Sequence, residues 1–274
     1  MPKIALITES FFGAHARARL ADRLEQARGA GVTLAVLPEL GLDAWVATRS
    51  EPRDEDAEDE AGPRATMCAR LAQAHGVAMI TTVILRDGTG RRFNTALAFD
   101  AHGELRHSYR KIHLPHEPGF WEANHYEAGE QPPRVFELAG LRVGLQICSD
   151  LNRPFGCHLL GAQRVDVIVA PRATPPSTYP RWQTVMRANA VTSGAYLVSV
   201  NRAPEDGALL GGPSLAIRPD GETVLETQEP LATVDLDPQA VQQARREYPG
   251  YLSIPSEVYA RGWQGVASRP RVDS

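Results

Sequence analysis

Three side chains of different chemistry stand where an apolar run gives way to residues that a β-sheet cannot easily extend. Glu39 follows VLP, whose Pro38 has no N–H to give to a sheet ladder. Lys111 closes ELRHSYRK, shortly before Pro115. Cys148 ends LRVGLQIC, in which Leu141, Val143, Leu145 and Ile147 alternate with Arg142, Gly144, Gln146 and Cys148 as on the two faces of a strand. The alternation places the sulfur on the less apolar face, and the following SDLNRP favours a turn. A carboxylate, an ammonium and a thiol at strand ends can act together on an amide carbonyl. The thiol attacks, Glu39 takes its proton, and Lys111, helped by the backbone N–H of Ser149, holds the oxyanion. Lys111 also lowers the cost of the thiolate, so Cys148 is expected to be alkylated before Cys68 and Cys157. Taken singly, each residue has a plainer reading: a cysteine as core filling, a glutamate in an exposed turn, a solvated lysine. Their joint fit to one reaction is what singles them out.

The elements that must position them alternate along the chain. KIALIT (3–8) and TLAVLPEL (33–40) bracket a helical stretch near 14–29, and 64–75 reads as a second helix. VAMITTVILR, FNTALAFD and ELRHSYRK follow as strands, with turn signals at Asp87-Gly88 and His102-Gly103. A strand pair at 133–147, a helix near 155–163, VDVIVA (165–170), a helix at 180–193 and AYLVSV (195–200) come next. Strands continue through 213–236, and the last helix is placed at 238–247. Runs such as LAVL and VIVA suggest strands buried on both faces, whereas the hairpins suggest antiparallel pairs in the same sheets. The expectation is a mixed-sheet α/β sandwich, and 1–274 reads as a single domain because no repeat or Pro/Gly/Ser linker divides it.

The whole chain narrows the function classes. A net charge of −4 gives no footprint for nucleic acid. No run of eighteen apolar residues exists, and MPKIALITES is too soon acidic for a signal peptide, so no membrane partner and a cytoplasmic location are expected. Three cysteines without a C-x-x-C argue against a disulfide framework or a cysteine-rich zinc site. The stretch 51–60, EPRDEDAEDE, holds seven acids against one arginine and reads as a solvated loop. The tail from Pro249, with Tyr251, Tyr259 and Trp263, is too aromatic for a free linker and is expected to dock.

VLPEL, YRKIHLP and GLQICSD, in this order and at these separations, resemble the Glu, Lys and Cys motifs of the nitrilase superfamily of carbon–nitrogen hydrolases. NTALAFDAHGELRHSYRKIHLP, ANAVTSGAYLVSVNR and GGPSLAIRPDGE extend the likeness over nearly the whole chain. The resemblance implies an αββα four-layer sandwich of two mixed sheets, a homodimer with 249–274 docking at its interface, and no cofactor and no metal. It implies a cysteine acyl-enzyme formed on a small-molecule amide or N-carbamoyl substrate and hydrolysed by water, with nitrile hydrolysis as an alternative. It also implies a second glutamate after the lysine. The aromatic-aromatic-Glu pattern of GFWE selects Glu122, with Glu117 as the loop alternative, and Glu122 would orient Lys111 and the substrate.

Departures from the family pattern bear on the substrate. No Glu follows Pro154, and Arg172 stands where a small or hydroxyl-bearing residue is frequent. Arg153 and Arg172, beyond two neighbouring strand ends, could clamp a substrate carboxylate, the plainer reading being a salt bridge to Asp150 or Asp166. The acidic stretch would instead favour a cationic substrate if it covered the site. Asn201 and Arg202 are taken as structural. Three competing readings are a papain-like Cys–His enzyme, a metal site from His113, His116, Cys157 and His158, and a silent binding subunit on the same fold. No histidine has the strand-end context of Glu39, H-E-x-x-H is absent, and no member of the Glu, Lys and Cys set is missing.

Overall fold

The computed structural model describes residues 1–264 and 266. The first half builds one sheet and the helices on its outer face: β1 (Lys3–Ile7), α1 (Ala16–Gly29), β2 (Leu34–Val36), β3 (Glu58–Asp59), α2 (Pro63–His75), β4 (Ala78–Arg86), β5 (Arg92–Phe99) and β6 (Leu105–Arg110). After the short helix α3 (Glu122–His125) comes a second sheet with its own outer helices: β7 (Phe136–Leu138), β8 (Leu141–Leu145), α4 (Phe155–Ala162), β9 (Val167–Arg172), α5 (Tyr179–Ser193), β10 (Tyr196–Asn201), β11 (Ser214–Ile217) and β12 (Thr223–Thr227). The chain then returns to the first sheet through β13 (Leu231–Asp235) and ends in α6 (Pro238–Arg246) and α7 (Ser256–Gln264).

Both sheets are mixed, in the orders β13-β1-β2-β4-β5-β6, with β3 beside β4, and β12-β11-β10-β9-β8-β7. β2 runs parallel to β4, and two antiparallel steps bring β6 back to the same direction. The ends that carry Glu39 and Lys111 therefore lie on one edge of the sheet. Period-two alternation divides the side chains between layers. Ile4, Leu6, Leu34, Val36 and Ile80 turn inward to meet Val143, Leu145 and Val169 of the second sheet. Ala5, Ile7, Ala35, Met79 and Val83 face Leu20, Leu24, Cys68 and Leu71 of α1 and α2. With α4 and α5 packed on the far side of the second sheet, the arrangement is the expected α/β sandwich.

Two features differ from the sequence expectation. The last helix is α7, inside the aromatic tail, and not α6. Tyr251, Tyr259 and Trp263 are exposed, and Trp263 meets Phe155 of α4 edge-on at 4.8 Å between ring centroids. The rest of the tail, 265 and 267–274, lies outside the described residues. The acidic stretch is exposed over most of its length, as expected of a solvated loop, but its middle is buried and arginines from flanking elements fold onto it. Arg49 holds Asp56 at 2.6 Å, Arg86 holds Asp54 at 2.7 Å, and Arg64 binds Glu58 at 2.9 Å and also pairs with Asp43. Asp56 and Glu58 are buried, and Glu58 accepts the N–H groups of Arg64 and Ala65 at the start of α2. A Cβ on Gly62 would sit 2.5 Å from the Glu58 carboxyl carbon, so glycine is required for this close turn.

Removing one partner of a buried ion pair leaves an uncompensated charge. Arg64→Met should therefore lower unfolding stability by roughly 3 kcal/mol in urea titrations at neutral pH; a change below about 1 kcal/mol would show that the acids are held by solvent and not by arginine.

Candidate active site

Glu39 sits just past β2, where Leu37 still donates to the Ile80 carbonyl and Pro38 ends the ladder. The Glu39 N–H crosses to the Arg172 carbonyl at 3.4 Å, tying the first sheet to the second. Lys111 extends β6 by one residue, its N–H bonding the Asn94 carbonyl at 2.9 Å. Its own carbonyl accepts from Gly129 at 2.7 Å, and a Cβ there would lie 2.4 Å from the Arg110 carbonyl oxygen. Glu122 comes from the first turn of α3.

These three side chains meet, fully buried. Lys111 Nζ donates to Glu39 Oε1 at 2.7 Å and to Glu122 Oε2 at 2.6 Å. Asn94 donates to Glu39 Oε1 at 2.9 Å, and the Tyr126 hydroxyl donates to Glu122 Oε2. Glu39 Oε2 and Glu122 Oε1 are buried without a hydrogen-bond partner. Burial alone would push the Lys111 ammonium down, but Glu122 and Glu39 outweigh it and hold the pKa above the usual lysine range. Burial pushes Glu122 up to about 7; Lys111 opposes the rise and Glu39 adds to it.

Cys148 is delivered by a strained turn. β8 ends at Leu145, and Cys148 adopts φ +46°, a left-handed conformation that costs a residue bearing a Cβ. The strand alternation therefore stops short of it, and the turn sets the direction of the sulfur. Asp150 fastens this turn. Its buried carboxylate accepts from Ile147 N at 3.2 Å, Ile112 N at 3.2 Å, His113 N at 2.9 Å, His113 Nδ1 at 2.8 Å and the Tyr109 hydroxyl at 2.9 Å. One side chain thus joins the residue before Cys148 to the two residues after Lys111. Ser149 Oγ adds a bond to the His113 carbonyl. The sulfur lies 3.8 Å from the Ala173 carbonyl. Its pKa is raised well above that of a free thiol, first by burial and then by Glu39, with Lys111 opposing. Lys111 thus lowers the cost of the thiolate, as expected, but burial and Glu39 outweigh it, so a base must take the thiol proton as the sulfur reacts.

Arg153 and Arg172 are not brought together. Arg153 is exposed beyond the Cys148 turn. Arg172 is fully buried, with one donor from each nitrogen bonded to Ser199 Oγ at 3.1 Å, Thr174 Oγ1 and the Pro213 carbonyl, and burial pushes it down to about 10. Neither a shared carboxylate clamp nor a salt bridge from Arg172 to Asp150 or Asp166 forms; Asp166 pairs with Arg245. The other proposed sets also come apart. His113 bonds Asp150, His116 bonds Asn124, and Cys157 is buried in α4. Among the described residues, no group of three or more His, Cys, Asp or Glu side chains is placed to hold a metal ion. Sequence reasoning did not single out Asn94 and Tyr126. The four-residue interval from Glu122 to Tyr126 was the available signal for one of them.

Comparisons with known proteins place the chain by family and fold. The family described as carbon-nitrogen hydrolase matches residues 14–246. A hydrolase of Mycobacterium tuberculosis is 31% identical over 244 residues, covering 80% of this chain and 83% of its own. An omega-amidase of Homo sapiens is 27% identical over 216 residues, covering 75% and 78%. The crystal structure of a carbon-nitrogen hydrolase from Helicobacter pylori superposes with a TM-score of 0.84 at 20% identity, covering 95% of this chain and 97% of that one.

A glutamate raised from 4.5 to about 7 binds its proton more tightly in the folded protein than in the unfolded chain. The stabilisation this proton brings is complete below pH 4.5 and is lost as pH rises through 7. In Glu122→Gln no proton is exchanged at this position. Relative to that variant, the wild-type protein should lose roughly 3 kcal/mol of unfolding stability between pH 4 and pH 8. Parallel pH profiles for the two proteins would mean that Glu122 titrates as if in water.

Proposed function

This chain belongs to the carbon–nitrogen hydrolase family, as an amidase-like member of the nitrilase superfamily, and we propose that it hydrolyses the amide bond of a small molecule through a thioester on Cys148. The observation that carries the reading is the unpartnered Oε2 of Glu39, buried in the cluster whose ammonium also acts on Cys148. As the sulfur bonds to the carbonyl carbon, Glu39 Oε2 takes the thiol proton. The carbonyl oxygen becomes an oxyanion facing the Lys111 ammonium and the Ser149 N–H. The tetrahedral species collapses to the thioester as the C–N bond breaks, and the proton held on Glu39 passes to the departing nitrogen, which leaves as ammonia or amine. Water then gives a proton to Glu39 and its hydroxyl to the thioester carbon, and as the C–S bond breaks that proton passes from Glu39 to the sulfur, releasing the acid and restoring the thiol and the base. Glu122 keeps Lys111 aimed throughout.

The surroundings support an uncharged substrate over a strongly charged one. Leu40, Trp45, Ala173 and Leu210 form an apolar cluster continuous with the site, and Phe120 packs on it. Each nitrogen of Arg172 already donates to a protein oxygen, and the two buried acids of the acidic stretch, Asp56 and Glu58, are paired with Arg49 and Arg64. The omega-amidase among the relatives supports amide over N-carbamoyl cleavage. The chain acts as a homodimer in this reading, with Phe155, Tyr251, Tyr259 and Trp263, exposed on one protomer, covered by the second.

Ammonia release from a panel of simple amides, ω-amides, N-carbamoyl amino acids, N-carbamoyl amines and nitriles tests the reading, with simple or ω-amides turned over fastest. Cys148→Ala should lose turnover by at least about 10³-fold while keeping its circular dichroism spectrum. In the wild type, iodoacetamide should modify Cys148 before Cys68 and Cys157, which burial pushes up to about 12 and which have no lysine acting on them. Turnover surviving in Cys148→Ala, or equal modification of all three thiols, would defeat the mechanism.

A further inference from the structure

Arg202, immediately after β10, is fully buried, yet it touches no reacting group of the site. Its guanidinium lies under the turn that carries the general base. Nη1 donates to the carbonyls of Glu39 at 3.1 Å and Leu40 at 2.6 Å; Nη2 donates to the Asp43 carbonyl at 2.8 Å and to the Glu205 carboxylate. Of the five N–H groups a guanidinium offers, these bonds leave the one on Nε, which is buried without a partner. Both terminal nitrogens are therefore committed to the turn and to Glu205.

The turn needs such support. Leu40, next to Glu39, has φ +46°, a strained conformation for a branched side chain. Its N–H is held by Thr82 Oγ1 and its carbonyl by Arg202. Relaxing Leu40 toward ordinary backbone would rotate the Glu39 carboxylate away from Lys111 and Cys148. On the outer side, Glu205 fixes the other end of the guanidinium. It also accepts the Trp45 N–H at 2.7 Å, so the Arg202–Glu205 pair joins the base turn to the loop that bears Leu210. The Arg202 guanidinium stands 5.7 Å from the centre of the Trp45 ring, which closes the remaining side.

We infer that Arg202 is a positioning residue for Glu39, and that Glu205 keeps its guanidinium turned onto the Glu39–Asp43 backbone. The inference rests on Glu39 acting as the base. An ammonium in place of the fork can satisfy fewer of these acceptors and lacks the planar grip.

The test follows Cys148 alkylation by iodoacetamide against pH, a readout that needs no knowledge of the substrate, alongside kcat and KM for the best amide of the panel. Arg202→Lys should slow alkylation about tenfold at pH 7 and move its profile upward by about one unit. kcat should fall by a similar factor, with KM within about twofold. Glu205→Gln should produce the same changes at about threefold. A purely structural role would lower the melting temperature and leave the pH profile of the folded protein in place, which would overturn the inference. If Arg202→Lys does not fold, Glu205→Gln decides alone, and an unshifted profile there overturns it equally. Wild-type Cys148 reacting no faster than Cys68 would instead remove Glu39 as base, and this inference with it.

Discussion

One ammonium between two carboxylates, sealed from water, is the interaction on which the rest of this structure depends. Lys111 lies within 2.7 Å of Glu39 and Glu122, and all three side chains are fully buried. Two carboxylates so close would not both stay ionised without the cation, and the cation would not stay charged without them. The ion cluster is thus poised and self-consistent, and it has one carboxylate oxygen free on each glutamate. In a site of low dielectric, that spare acceptor on Glu39 can take a proton from a thiol that burial otherwise keeps protonated.

The fold serves this cluster by holding two unfavourable backbone conformations. Leu40 and Cys148, one beside the base and the other the nucleophile itself, both have φ +46°. Each is over-determined by a buried charged side chain that bonds backbone and does no chemistry: Arg202 below the Glu39 turn, and Asp150 within the Cys148 turn. Strain stored at functional positions and balanced by such supports is a general feature of preorganised sites. Asp150 has the further effect of fixing the spacing between the lysine strand and the nucleophile, since it bonds Ile112, His113 and Ile147 together.

The strand ends bearing Glu39 and Lys111, and the helices between the strands, were legible in sequence because alternation, proline and turn residues are local signals. Glu122 was legible through its GFWE context. What stayed hidden is partner choice across elements. Nothing local tells that each nitrogen of Arg172 bonds Ser199, Thr174 or Pro213, or that Asp54, Asp56 and Glu58 of the acidic stretch meet arginines from Arg49 to Arg92. The same holds for Asn94 and Tyr126, which reach the cluster from a strand and a helix end. Cys148 shows a different limit: alternation predicts direction only while the strand lasts, and a left-handed residue ends it.

The most direct test of the central cluster is the unfolding stability of Lys111→Met, compared at pH 8 and pH 5. With the cation replaced by an apolar chain of similar length, Glu39 and Glu122 face each other uncompensated. The variant should be less stable than the wild type by roughly 3–5 kcal/mol at pH 8, and should regain most of that loss at pH 5, where the carboxylates can take up protons. Wild-type stability at pH 8, or a deficit that does not change with pH, would contradict the claim that this buried ammonium holds the site together.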